Sequence, residues 1–529
     1  MNNRIIKTIL PLVFALLAMT ACHKDLNLTP KYGFNSAAVY DTADNYINVV
    51  AKLYAGFVLS GNEGPAGNPD IADIDEGFSP YLRVYWNLQE LSTDATKCRW
   101  NDVGIPELNT MRWSSSNSFV KAMYSRLFFQ ITLANEFIRE CSEENMERRG
   151  FSEVDKELIR GYRAEARWIR AFVWTHAIDL FGGNVPFVTE ADGIGSQLPP
   201  QTNAKELFAY VEQELIDLES ELPAVGAADY PRVDRGALYF LLAKMYLNAN
   251  TWIGEDRYSD CVTYLDKITN SNAYSLESNY QQLFTLNNEN SSEAIFSVAC
   301  DGAFTQSYGG TTFLVHAFVG GTMVPGDYGI TGGWEGYRAT KAYTDLFVAD
   351  SATSDRFTWY HKDHIQSIDT FDQFHHGWAM TKYKNVYLES NGDITTPDNY
   401  SLNSQVNLDF HWMRLSEVYL MYAECAARGY GNSGQGLTYI NMLRTRAGAP
   451  TVGSYDLNFI LDERGRELSW EGKRRTDLVR FGKFTSSDYV WEWKGNDPIG
   501  IGVSDHLNIY PLNADDVIAN PNLTQNPGY

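Results

Sequence analysis

RLSEVYLMYAECAARG at 414–429, INMLRTRAG at 440–448 and LDERGRELSWEGKRRTDLVRFGKF at 461–484 follow one another and decide the fold class. In the first, Leu415, Val418, Tyr419, Tyr422 and Ala426 recur at three- and four-residue spacing, which predicts an amphipathic helix ending at Gly429. In the third, Leu461, Leu468, Trp470 and Leu478 stand among charges of both signs. That pattern predicts a helix over Leu461 to Leu478 that buries one stripe and laces its flanks with ion pairs. Glu467, Glu471, Arg474, Arg475 and Asp477 are poor acid–base candidates, because cations this close keep carboxylates ionised whereas an acid catalyst needs a raised pKa. The stretch reads as scaffold.

Helical patterns continue outward from it. ELIRGYRAEARWIRAFVWTHAIDL (157–180) has no Pro and stops at Gly182-Gly183, as a long helix does. Arg235 to Asn248, with small Ala237 and Ala243 among large residues, and a second segment around Cys261 to Ile268 resemble a degenerate tetratricopeptide pair, in which small residues let neighbouring helices approach. A further helix is expected from near Ala37, through Val39, Tyr40, Tyr46, Val49, Val50 and Leu53. Between Asn270 and Leu408 the texture changes to Gly, Asn, Ser, Thr and aromatics, with strand-like runs at Ala294 to Val298 and Thr312 to Phe318. No Pro/Ser-rich linker divides the 529 residues, so 22–529 is expected to form one mainly α body. Its parts are a tether at 22–36, a helical-repeat scaffold with loops mainly at 61–113 and 270–408, and the signature region at 410–529.

Charge and composition narrow the function. With 43 Lys+Arg against 66 Asp+Glu the formal charge is −23, which repels phosphate backbones, and no basic stripe offsets it. Nucleic acid is therefore not an expected partner. The 32 Tyr and 13 Trp exceed what a helical core needs, and exposed flat rings suit sugars. Arg4 and Lys7 precede an apolar run from Ile9 to Met19, and ALLAMTAC ends at Cys22. This reads as a lipoprotein-type secretory signal over 1–21 with Cys22 as the lipidated first residue. The run is too short to span a bilayer. Cys98, Cys141, Cys261, Cys300 and Cys425 show no close or metal-type spacing and read as buried small hydrophobes, at least one of them a free thiol. His361, His364, His375 and His376 give no closed zinc set, and Asp70, Asp73, Asp75 and Glu76 lack the alternation of a calcium loop. No metal site is assigned, and neither a P-loop, a Rossmann fingerprint nor a GxSxG elbow occurs in its required context.

A sugar presents apolar C–H faces and a rim of hydroxyls, so its binder needs exposed rings beside polar groups. Three settings qualify: SYGGTTFLV with Tyr308, ITGGWEGYRAT with Trp334, and KCRWNDVGIPEL with Trp100 beside Asn101 and Asp102, preceded by YLRVYWNLQEL with Arg83. Loops on a rigid scaffold are where such residues concentrate.

The three C-terminal signatures, RAEARWIRAF (163–172) with LFGGNVPF (180–187), and GFSPYLRVYWNLQELSTD, GIPELNTMRWSSS, YGGTTFLV, DLVRFGKFTSSDYVWEWKG, IYPLNADDV and LTQNPGY together resemble the SusD/RagB family over essentially the whole mature chain. The similarity is greatest to the family's starch-binding founder. The resemblance implies a SusD-like fold, with tetratricopeptide pairs as scaffold and a loop-rich, minor-β region that binds glycan. It implies a non-enzymatic lipoprotein on the outer membrane, facing the exterior, that captures α-glucan or another glycan for a TonB-dependent, SusC-like transporter. It also implies an arc of Trp100, Tyr308 and Trp334 with Arg83, and a polar partner that is Asn101 or Asp102 because the chain is one residue shorter around Trp100. Cys98 stands where the starch binder has a further tryptophan. Asn287 to Asn290 with Glu293 lies where that protein has a calcium loop; fewer carboxylates are present, so no cofactor is assigned and calcium stays open. Two alternatives are a lipid-anchored glycoside hydrolase, for which Asp102 and Glu335 are the nearest acids, and a helical-repeat adaptor that packs its aromatics on a protein.

Overall fold

A computed structural model describes residues 39–529 except 66, 194, 196, 352, 390–392 and 398–404. The lipidation expected at Cys22 and the 22–36 tether lie outside the described residues. The longest helix, Glu153–Phe181, begins with a capping box between Ser152 and Asp155 and ends where Gly182 turns left-handed at φ 71°. From Ala164 to Phe181 every residue is buried, because Ser118–Glu140, Ala43–Ala55 and Ala204–Leu218 pack around it. Arg235–Ile253 pairs with Tyr258–Thr269, and Leu415–Ala427 with Ser433–Arg446. Ala237 and Ala243 are fully buried in the first pair, where a larger side chain would hold the helices apart. One continuous apolar cluster runs through this scaffold, with two small satellites beside the C-terminal helices. Cys98, Cys141, Cys261 and Cys425 are buried, Cys300 is half-buried, and all five are free thiols. Among the described residues no helix is long and apolar enough to cross a membrane.

Three expectations are corrected. Leu415–Ala427 is not amphipathic: Ser416, Glu417 and Glu424 are as buried as Val418 and Met421. The stretch Leu461 to Leu478 is not one helix but two, Leu457–Glu467 and Arg474–Arg480, separated where Trp470 (φ 58°) and Gly472 (φ 72°) turn left-handed. Its charges do not lace a solvated flank, because they form a buried network with partners far off in sequence. The Arg414 guanidinium meets Glu293 at 2.7 Å, Glu467 at 2.8 Å and Glu471 at 2.8 Å. Arg446 also pairs with Glu293 and Glu467, Arg356 and Arg444 share Glu463, and Lys382 meets Glu471 at 2.6 Å. Alternation of charge along a chain looks the same whether the partners lie one turn away or across the core.

Among the described residues the strands form four two-stranded antiparallel ladders. Ala294–Val298 is a strand as expected and pairs with Phe410–Arg414. The third correction concerns Thr312 to Phe318, where the structure has a helix, Gly310–His316, in place of a strand. All seven of its residues are buried, so neither period is visible in sequence, and the helix penalty of Thr and Val, about 0.7 kcal/mol at most, is small beside their burial. Gly310 holds φ 56° where a Cβ would press on Val58 and Cys300.

The network sets two expectations for stability. Arg414→Ala takes one of the cations from each of three buried carboxylates, and loss of one partner from a buried pair costs about 3–5 kcal/mol, read as a lowered denaturation midpoint at unchanged slope. Burial alone would raise the Glu467 pKa, but Arg446, Arg414 and Arg356 pull it down to about 2. A carboxylate held below its unfolded value adds stability that is fully present above that value, about 4.3, and is lost as pH falls through the folded one. Acid unfolding should therefore steepen between about pH 4.3 and the folded value near 2, followed by far-UV circular dichroism.

Candidate functional site

Segments distant in sequence meet to form the site. Tyr81–Trp86 runs into a π-turn at Asn87–Leu91, and Lys97–Cys98 then pairs with Tyr337–Arg338 in an antiparallel ladder. The Arg99 amide extends that ladder by donating to the Gly336 carbonyl at 2.8 Å. Trp100 is thereby laid beside Trp334, its Nε1 donating to the Trp334 carbonyl at 2.9 Å, with ring centroids 6.4 Å apart and planes at 47°. A Cβ on Gly336 would sit 2.6 Å from the Trp100 ring, so the absence of a side chain there gives the indole its place. Trp334 is held from behind: its amide donates to the His316 carbonyl at 2.7 Å and its ring stacks on the His316 imidazole at 4.9 Å. Tyr308 completes the set at 6.1 Å from Trp334 and 70° to its plane, 36% exposed.

These three rings face an open cavity of about 580 Å³. Arg83 lies behind them and is buried. Its Nη1 donates to the carbonyls of Gly77 at 2.9 Å and Tyr308 at 2.8 Å. The guanidinium lies 4.8 Å from the Phe313 ring, 5.7 Å from Trp100 and 5.9 Å from Trp334, and burial pushes its pKa down. One cation thus ties the 75–77 loop to the ring-bearing segment 308–310 and backs the aromatic surface.

Arg83, Trp100, Asp102, Tyr308 and Trp334 all line the cavity, whereas Asn101 is exposed beside it and does not. The turn in which the Ile105 amide donates to the Asp102 carbonyl, followed by Gly104 at φ 98°, places the two neighbours differently. Asp75, Phe78, Val103 and Phe119 also line it and were not foreseen as ligand-facing residues. Phe78 and Phe119 pack at 4.7 Å, which no spacing in sequence announces because they lie on a loop and a distant helix. Asp75 was legible only as a member of an acidic turn.

The other candidates lie elsewhere. Glu335 is salt-bridged to Arg99 at 2.5 Å, accepts the Gly321 amide and does not line the cavity. Glu293, beside the Asn287–Asn290 run, is buried between Arg414 and Arg446. Asp70 pairs with Lys52 and Arg126. His364 binds the Gly377 carbonyl, and among the described residues no group of three or more His, Cys, Asp or Glu is placed to hold a metal ion.

Residues 377–529 match the family model described as the SusD family. The chain is 31% identical to the starch-binding protein SusD of Bacteroides thetaiotaomicron, over 97% of this chain and 96% of that protein. Among solved structures, a SusD superfamily protein from Parabacteroides distasonis superposes with a TM-score of 0.70 at 20% identity, covering 92% of this chain and 99% of that one. A laminarin-binding SusD-like protein gives 0.69 at 20% identity, covering 93% and 100%. At those identities the two structures speak for the fold, while the full-length relative speaks for descent: the chain belongs to the SusD family.

Proposed function

We propose that this protein captures α-glucan on the cell surface without cleaving it and passes it to a TonB-dependent outer-membrane transporter. In this reading a lipid on Cys22 anchors the chain to the outer membrane, facing the exterior. The observation that carries the ligand assignment is the mutual tilt of the rings, 47° between Trp100 and Trp334 and 70° between Trp334 and Tyr308. Successive glucose faces of a helically curved chain turn relative to one another, and tilted platforms meet them better than coplanar ones do. The name of the starch-binding relative supports the same choice. Stacking in an open site gives affinities of about 10 µM to 1 mM, roughly 4 to 7 kcal/mol. A long polymer gains further by rebinding to neighbouring copies on one membrane.

Calorimetric titration with a cyclic or long linear α-1,4-glucan tests this. Wild type should bind, Trp334→Ala should lose at least about tenfold in affinity, in line with the loss of a stacking aromatic anchor, and a flat β-1,4-glucan should not bind. A folded wild type that ignores α-glucan removes the ligand assignment. No reducing ends should appear on incubation with α-glucan; their release would favour a hydrolase, which needs two carboxylates about 5–9.5 Å apart across the bond. Gly336→Ala should weaken binding, since the added methyl would sit 2.6 Å from the half-buried Trp100 ring.

A further inference from the structure

The charge inside the cavity is unbalanced. Asp75 and Asp102 both line it, and both act electrostatically on Arg83. Arg83 is buried and spends Nη1 on two backbone carbonyls. Lys97, the next cation along the chain, is buried and donates to the Leu91 and Thr93 carbonyls, and Arg99 is committed to Glu335 and to the Asp372 carbonyl. Asp75 is held in place: its Oδ1 accepts the Gly77 amide at 2.7 Å, and the Gly77 carbonyl is in turn held by Arg83. The Asp102 carboxylate takes neither a hydrogen bond nor an ion pair from the described residues. Two exposed carboxylates therefore face the ligand space against one buried cation, on a chain whose formal charge is −23.

We propose that Asp75 and Asp102 are specificity-determining residues that select uncharged glycan and reject chains bearing carboxylate or sulfate groups. This rests on the α-glucan reading and adds to it which glucans are refused. The physical basis has two sides. Carboxylate oxygens accept strongly from sugar hydroxyls. They also face a uronate or sulfate as like charges, and juxtaposed like charge suppresses wrong partners. Because both carboxylates are solvent-exposed, the rejection is screened by salt, whereas stacking of a neutral sugar is not.

The test compares maltoheptaose with the same oligosaccharide oxidised to the carboxylate at C6, by calorimetry on wild type and on Asp75→Asn/Asp102→Asn. In about 10 mM salt the oxidised ligand should bind wild type at least about tenfold more weakly, and the gap should shrink several-fold in about 0.5 M salt. The double variant should show a reduced gap in low salt. A gap that neither salt nor the variant reduces would mean that a lost C6 hydroxyl contact, not charge, discriminates, and would overturn the proposal. Equal binding of both ligands by wild type overturns it alone, leaving the α-glucan reading intact. Failure to bind either ligand overturns both.

Discussion

The buried charge of Arg414 is the constraint on which the rest of the structure depends. It leaves the strand Phe410–Arg414 and reaches Glu293 at the opposite strand and Glu467 and Glu471 on the C-terminal signature, with none of the four side chains more than 2% exposed. Burying so many charges is costly, and a well-packed apolar replacement is often as stable. What such a network does supply is register: each carboxylate is satisfied in one arrangement only, so segments far apart in sequence are held in fixed relation.

That fixity extends to the site. Arg474, on the helix that follows Gly472, meets Asp94 at 2.7 Å, and the Lys473 amide donates to Glu90 at 3.0 Å. Glu90 and Asp94 flank the end of the π-turn that follows Arg83, and the Trp470 indole reaches the Ala95 carbonyl. The cavity floor is thus bolted to the C-terminal signature. Aromatic platforms on short loops are costly to order at the moment of binding. Here His316, Gly336 and Arg83 have already set their tilts, so the fold carries that cost in advance.

The division of labour between ring and rim follows from the same geometry. In the proposed reading the rings supply affinity for a sugar face of suitable curvature, and Tyr308 and Trp334, which line the open cavity, leave room for the middle of a polymer. In the same proposal the rim carboxylates, Asp75 and Asp102, supply the discrimination. A laminarin-binding protein with the same fold is a reminder that the scaffold itself does not choose the linkage.

The sequence by itself determined the helical scaffold and the order of its signatures. Helix periods, caps such as Ser152 with Asp155, and stop glycines such as Gly182 are written among near neighbours. The three rings that the resemblance implied stand in motifs that each sit within a dozen residues, whereas the hydrogen bond that joins Trp100 to Trp334 spans 234 positions. Only the tertiary structure decided the rest. The charges of 461–478 turned inward because their partners, Arg356, Lys382, Arg414 and Arg446, come from elsewhere in the chain. Gly310–His316 became a helix because full burial erased the pattern by which strand and helix are told apart. Asp75 and Asp102 came to share one cavity, and Asn101 to stand outside it, through the turn after Arg99 and the Arg83 clamp on Gly77. Each of these depends on which distant surfaces meet, a relation that no local pattern of residues encodes.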